Sequence, residues 1–412
     1  MNRASLALFG LLLMSPAAAN AQAPAAKAPA EKLSADYSHE PFVIERYATI
    51  ARFENDGTGE ETLRVRAKIQ SDAGAQQWSE LVFGYNASTE AIDVHYVRLH
   101  KADRTTVEIA ADATKDAPAP TVRDFPAYAN CKEKHIAVAS LAPGDTLEYE
   151  IAKRIVAAEA PGEFWFEHRF IDSAVVLDER LEISAPSTRT LTLKSSPAST
   201  YTSQTAGGRT IYRWKRANLK PAAGDSQKTA DQSKAKSPDV QLTTFASWAQ
   251  VARWYAKLVQ AAAQPTPEIR AKTQDLIAGS ATDLDKIRAI YDFVSKSIRF
   301  TPLTFGAAGY QPRAAGEVLT SQYGNSEDKN AILSAMLQAA GFSTETALIP
   351  SSRKLDAAVP SPAQFDHVIT VVALAKDLIW MDSTVDVAPF RMLASGLRKK
   401  AVLLIAGDGA GK

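Results

Sequence analysis

The sequence predicts two folded parts of different class, an N-terminal antiparallel β-sandwich and a C-terminal α+β domain. Three observations carry this reading. Apolar residues between Phe42 and Arg216 repeat with a period of two. A polar stretch from Lys220 to Val240 has almost nothing to bury. After it the period becomes helical, and strands return only near the end, an α+β order. A length of 412 residues suits two or three domains at roughly 100–200 residues each.

Composition narrows the function classes. Lys and Arg total 47 against 46 Asp and Glu, so a formal net charge of +1 supplies no field for DNA or RNA, and no nucleic-acid partner is expected. One Cys excludes an intramolecular disulfide framework and a Cys-ligated zinc site. Any chemistry must rest on a few residues.

Arg3, the apolar run Ala4–Met14, Pro16 and Ala19-Asn20-Ala21 read as a secretory signal peptide cut after Ala21. The apolar run is shorter than the about 20 residues a spanning helix needs, and no other segment is long and apolar enough. The mature chain is therefore expected to be periplasmic or secreted, with no stable membrane insertion after cleavage. Residues 22–36, rich in Ala, Pro and Lys, read as a disordered leader.

The β-sandwich is placed at residues 37–219. Leu63, Val65, Ala67 and Ile69 alternate with polar neighbours, and Asn55-Asp56-Gly57 before them supplies hairpin turn chemistry. Leu147, Tyr149 and Ile151 repeat the alternation after Pro143-Gly144-Asp145, as do Leu181 with Ile183 and Leu191 with Leu193. Residues 220–242 are assigned as linker. The α+β domain is placed at 243–405 and a tail at 406–412. Trp248, Val251, Tyr255 and Leu258 mark one helix, with Ser247 and Gln250 as a capping pair. Thr266-Pro267 opens a second helix that Gly279 stops. Asp283 opens a third, with Leu284, Ile287, Tyr291, Val294 and Ile298 as its buried stripe. A fourth runs from about Ser326 to Ala340, ended by Gly341. Strands are expected at Thr344–Ile349, Phe365–Leu374 and Leu378–Asp382.

The chemistry concentrates at three points. Ser326 follows a Gly-containing turn at the start of an apolar helix, where free N–H groups and a partial positive charge favour an anion. His367 opens an apolar strand, and Asp382 ends the next one. A nucleophile on a helix start, a His on a strand and a carboxylate on its neighbour is the layout of a catalytic triad. Each piece also has a plainer reading. A Ser there caps the helix, a strand His packs in the core, and Asp before Ser-Thr serves a turn.

Residues from about Phe245 to Ile405 resemble the bacterial transglutaminase-like superfamily, a papain-related fold with a Cys-His-Asp triad. The matching stretches are Phe245-Ala246-Ser247-Trp248 through Trp254-Tyr255, and Ile287 to Val294. They continue with Gly309-Tyr310-Gln311-Pro312, Tyr323-Gly324, Asp328-Lys329, Ala339-Ala340-Gly341-Phe342, the His367 strand and Trp380-Met381-Asp382. The β-rich part, with Pro143-Gly144-Asp145-Thr146-Leu147-Glu148-Tyr149-Glu150, is similar to the domain of unknown function that usually precedes such cores in exported bacterial proteins. The resemblance implies His367 as general base and Asp382 as its orienting carboxylate. It implies no cofactor.

The departure lies at the nucleophile. The family pattern Gly-Asp-Cys-Lys-Asp-Lys is Gly324-Asn325-Ser326-Glu327-Asp328-Lys329 here. A thiol titrates near 8.5, and a helix terminus with a His can bring it below neutral, whereas a serine hydroxyl forms no stable ion pair with His. Glu327 in place of Lys also opposes negative charge developing beside it. Three readings result: a degenerate module that keeps the fold and binds peptide or protein, a working serine amidase or acyltransferase, and an engineered Cys→Ser form of an active enzyme.

Other motifs are weaker. Cys131-Lys132-Glu133-Lys134-His135 resembles the missing nucleophile motif but lies between β segments with no apolar helix behind it, so a packed or partly exposed free thiol is expected, with an intermolecular disulfide as the alternative in an oxidising compartment. His95, His100 and His168 lack metal-ligand spacing. No P-loop or dinucleotide fingerprint is present. Tyr310-Gln311-Pro312-Arg313, with Trp248, Trp254 and Tyr255, reads either as a cleft wall for an extended peptide or as core and turn.

Overall fold

A computed structural model describes residues 37–219, 237–385 and 389–406 of the chain. The signal peptide and leader expectations, most of the linker and nearly all of the tail lie outside the described residues. No helix among the described residues is long and apolar enough to cross a membrane.

The N-terminal part is built from strands β1 (Phe42–Phe53), β2 (Gly59–Ile69), β3 (Glu80–Asn86), β4 (Glu90–His100), β5 (Thr106–Glu108), β6 (Thr114–Pro118) and β7 (Cys131–Ala137). They are followed by β8 (Thr146–Ile155), β9 (Trp165–His168), β10 (Val176–Pro186), β11 (Thr192–Ser195), β12 (Tyr201–Ala206), β13 (Arg209–Asn218) and β14 (Val240–Thr243). The largest sheet has the order β12-β13-β10-β1-β2-β8-β4-β5, and two three-stranded sheets, β3-β7-β6 and β11-β14-β9, pack against it. Val65, Val97, Leu147 and Ile151 meet Leu81 and Ile136 of the first small sheet. Phe53, Leu181, Ile183 and Trp214 meet Val240 and Leu242 of the second, and Phe164 just before its strand β9. The β1–β2 hairpin forms at Asn55-Asp56-Gly57 as expected, where Asp56 Oδ1 accepts from the Thr58 N–H at 2.9 Å and its hydroxyl at 2.7 Å.

The layered β architecture matches the sequence reading, with one correction. The sheets are not wholly antiparallel, because β1 and β10 run parallel in register Ile44↔Val176 to Arg52↔Ser184. A parallel pair needs a long crossover, and the chain from β2 to β9 supplies it. Val240–Thr243, which spans the end of the assigned linker and the first residue of the assigned α+β domain, is the central strand of the β11-β14-β9 sheet. Four residues are too few for a period of two to stand out.

The C-terminal part contains two small strands, β15 (Arg299–Phe300) and β16 (Tyr323–Gly324), and a four-stranded antiparallel sheet. That sheet is ordered β19 (Asp377–Met381), β18 (His367–Leu374), β17 (Thr344–Ile349) and β20 (Leu403–Ile405). Its helices are α2 (Trp248–Ala262), α3 (Pro267–Ile277), α4 (Asp283–Ser297), α5 (Ala315–Ser321) and α6 (Ser326–Ala339), after a short α1 (Asp72–Gln77) in the β-rich part. The caps follow the sequence. Ser247 Oγ accepts from the Gln250 N–H, Thr266 from Ile269, and Thr282 with Asp285 forms a capping box. Helix α5 was not foreseen; it is seven residues long and its start has no side-chain cap.

Helix α6 is the core of this part. Every residue from Ser326 to Leu337 is buried, and Ile332, Leu333 and Met336 pack among Val372, Ile379 and Met381 of the sheet and Ile287, Tyr291 and Val294 of α4. A helix buried all round shows no amphipathic stripe, and its apolar run is the signal that identified it.

Candidate active site

The structure brings His367 and Asp382 together. His367 opens β18 and Asp382 follows β19, the neighbouring strand, so their side chains meet at the sheet end with Nε2 and Oδ2 3.1 Å apart. Asp382 is fixed from two further sides. Its Oδ1 accepts from the Thr384 N–H at 3.0 Å and the Thr384 hydroxyl at 2.7 Å, and its carbonyl accepts from the Tyr291 hydroxyl at 3.0 Å. Burial alone would lower the His367 pKa. The hydrogen bond and charge of Asp382, with the charges of Glu327 and Asp366, outweigh it and hold the imidazole above its ordinary value. Asp382 moves the other way: burial raises it, but His367 and Thr384 hold its carboxyl below the usual range.

Ser326 is not the helix cap. Asn325 is, its Oδ1 accepting from the Asp328 N–H at 3.0 Å, and Ser326 is the first helical residue. That accounts for Asn at a position where the family pattern has Asp, since both residues cap well. Gly324 before it is required by space: a Cβ there would lie 2.7 Å from Asp328 Cβ.

The Ser326 hydroxyl donates to Glu327 Oε2 at 2.8 Å, and among the described residues it has no hydrogen bond to His367. Ser326 and Glu327 are each 1% exposed. Glu327 Oε1 accepts from the Gly306 N–H at 3.1 Å, which ties the loop of residues 304–310 to the helix start. Gly306 sits at φ +80°, a backbone that a side chain would strain. Burial pushes the Glu327 carboxyl from 4.5 up to about 7, against the pull of its hydrogen bonds from Ser326 and Gly306, and the charge of Asp328 adds to the rise.

This displacement gives a stability prediction whose sign is fixed. An acid with a raised folded pKa resists ionisation only in the folded state. Stability is therefore unaffected below pH 4.5, falls as pH climbs toward 7, and stays lower beyond it. The cost above pH 7 is up to roughly 3 kcal/mol. Glu327→Gln should flatten this part of the stability profile. Urea unfolding at pH 4 and pH 8 checks it, and an unchanged difference between the two would refute the assignment.

Two cavities flank the loop of residues 304–310, and both are lined by Gly306, Ala307 and Tyr310. One, of about 620 Å³, lies between the β-rich and α+β parts, with Tyr85, Cys131 and Trp165 in its wall. Seven glutamates and two lysines line it, which leaves it strongly acidic. The other, of about 410 Å³, is walled by Arg353, Gln364 and Phe365. Ser326, His367 and Asp382 line neither. Tyr310 joins both readings offered for it. It packs against Phe305, Trp254 and Trp165 at 4.9–5.4 Å between ring centroids, and it also walls the cavities.

Cys131 is a packed thiol, 7% exposed, with Sγ 3.7 Å from the Ala307 carbonyl, and burial raises its pKa. His95 and His100 pair with Glu150 and Glu148 at 2.9 and 2.8 Å. Among the described residues no group of three or more His, Cys, Asp or Glu is placed to hold a metal ion. Glu327 was visible in sequence as a neighbouring anion, but its bond to Ser326 was not. Tyr128, which reaches the start of α6 from the β-rich part, carried no local signal.

Comparison with known proteins agrees with this architecture. Residues 55–223 match the family model of a Domain of Unknown Function (DUF3857), and residues 270–371 match that of the Transglutaminase-like superfamily. A crystal structure from Parabacteroides distasonis, described as a "putative protease", superposes with a TM-score of 0.74 at 20% identity, over 90% of this chain and 71% of the other. A "putative cysteine protease" from Cytophaga hutchinsonii aligns over 59% of this chain and 75% of its own at 12% identity, with a TM-score of 0.27. No significant relative was found among curated proteins. The chain thus carries a β-rich region that matches DUF3857, followed by an α+β region that matches the transglutaminase-like superfamily.

Proposed function

We propose that this chain, a DUF3857 domain joined to a transglutaminase-like one, is an exported and catalytically degenerate protein that binds peptide or protein through its remnant cleft. The observation that carries the reading is the hydrogen bond from Ser326 Oγ to Glu327 Oε2. Attack by a serine requires its proton to leave toward a base as the new bond forms. Here the proton points to a buried carboxyl instead of to the His367 imidazole. Any negative charge growing on Oγ would meet Glu327, the anion beside it. Export rests on the Arg3–Ala21 leader pattern. The cavities beside the loop of residues 304–310 lie next to the remnant triad without including it; they offer the volume for a ligand, and the acidic lining of the larger one favours a basic peptide segment.

One observation favours a second reading. The His367–Asp382 pair is intact, so a serine amidase or acyltransferase keeps a base and its orienting group. A fluorophosphonate probe separates the two readings without knowledge of a substrate. Degeneracy predicts no adduct by intact mass, and it predicts that Ser326→Ala retains partner binding. A single adduct on the parent, lost in both Ser326→Ala and His367→Ala, would establish the serine enzyme. An adduct lost in Glu327→Gln but kept in His367→Ala would assign the base role to Glu327.

A further inference from the structure

The β-rich domain reaches into the start of the nucleophile helix. Tyr128, only 4% exposed, lies in the loop between β6 and β7. Its hydroxyl donates to Asp328 Oδ2 at 2.5 Å and accepts the Asn325 N–H at 2.7 Å. Asp328 also accepts from the Arg313 N–H at 2.8 Å and from Arg313 Nε at 2.6 Å, and the Arg313 guanidinium lies 5.0 Å from the Tyr128 ring centroid. Asn325, through its side chain, caps the Asp328 N–H. One hydroxyl from the other domain thus holds residues on both sides of Ser326. The neighbouring contacts differ in kind. The Ala127 N–H donates to the Tyr323 hydroxyl at 2.9 Å, and the rings of Phe125 and Tyr323 lie 5.2 Å apart, but these dock the surfaces without touching residues 325–328.

We propose that Tyr128 is a positioning residue for position 326, so that the cleft is complete only when the β-rich domain is seated on the transglutaminase-like one. Tyr128 acts through the backbone of Asn325 and the carboxylate of Asp328. Without its hydroxyl a buried N–H lacks an acceptor and the helix start must shift to find one. Asp328 also loses a donor that spreads its charge, two residues from the nucleophile position. The inference rests on the remnant-triad reading, because it needs position 326 to face His367.

The test places a thiol at 326 as a reporter. In the full chain carrying Ser326→Cys and Glu327→Gln, thiolate absorbance is followed against pH, and the same chain without Ser326→Cys is subtracted so that Cys131 drops out. Adding Tyr128→Phe should raise the thiol pKa by about one unit, a tenfold loss of thiolate at neutral pH. Tyr323→Phe, which weakens the same interface, should leave it in place. Equal shifts from both variants would mean general loosening and overturn the assignment, as would no shift from Tyr128→Phe while His367→Ala moves the thiol. A thiol that answers Tyr128→Phe but ignores His367→Ala would instead sink the remnant triad, and with it the claim that Tyr128 completes a cleft.

Discussion

Ser326→Cys alone should yield a poorly ionised thiol, and adding Glu327→Gln should lower its pKa by about one to two units, a 10–100-fold gain in thiolate at neutral pH. The helix start favours an anion at position 326, and the His367–Asp382 pair is in place to favour it further. Glu327 opposes both. Unit charges about 4 Å apart interact by about 4 kcal/mol at an effective dielectric of about 20. The full value does not apply, because a carboxyl with a pKa of about 7 is only partly ionised at neutral pH. One to two units is what remains. The checks are thiolate absorbance against pH and iodoacetamide labelling of the peptide that carries residue 326. His367→Ala in the double variant should erase most of the gain. If Glu327→Gln leaves the thiol unmoved, Glu327 is not what silences the site, and the case for degeneracy loses its central support.

The same comparison explains what the sequence could and could not disclose. Helices α2, α3 and α4 were legible because their boundaries are written locally: Ser247, Thr266 and Thr282 each accept a backbone N–H within three residues of themselves. The hairpin at Asp56 was legible for the same reason. The parallel β1–β10 pair was not, since nothing near Ile44 or Val176 encodes a partner so distant in the chain. At the site, His367 and Asp382 were legible through the resemblance and through adjacent strands. The capping role of Asn325 rather than Ser326 turns on a one-residue boundary, where pattern is weakest. Tyr128 had no signal at all, because its meaning depends entirely on how two domains seat.

Asp328→Ala should be the most damaging single change to the fold at this site, costing about 3–5 kcal/mol, because it strands a largely buried guanidinium. Asp328 is 2% exposed in its side chain and accepts Arg313 N–H, Arg313 Nε and the Tyr128 hydroxyl together. Removing it orphans all three and uncaps nothing that water can reach. Urea unfolding should show the midpoint fall far more than in Tyr323→Phe, which breaks one interface hydrogen bond; equal losses would show that the pair with Arg313 adds no stability. Lys329 has a comparable structural task, reaching the Ser295 and Ile298 carbonyls from a fully buried position. Asp328 and Lys329 are the two positions of Gly-Asn-Ser-Glu-Asp-Lys that keep the family residues after the nucleophile, and both serve packing. Asn325, Ser326 and Glu327 are the three that depart: Asn325 keeps the capping task, and Ser326 and Glu327 bond to each other at the nucleophile position. A chain released from catalysis but held to its fold would be expected to drift in that order, which ties the degenerate reading of the site to the energetics of its surroundings.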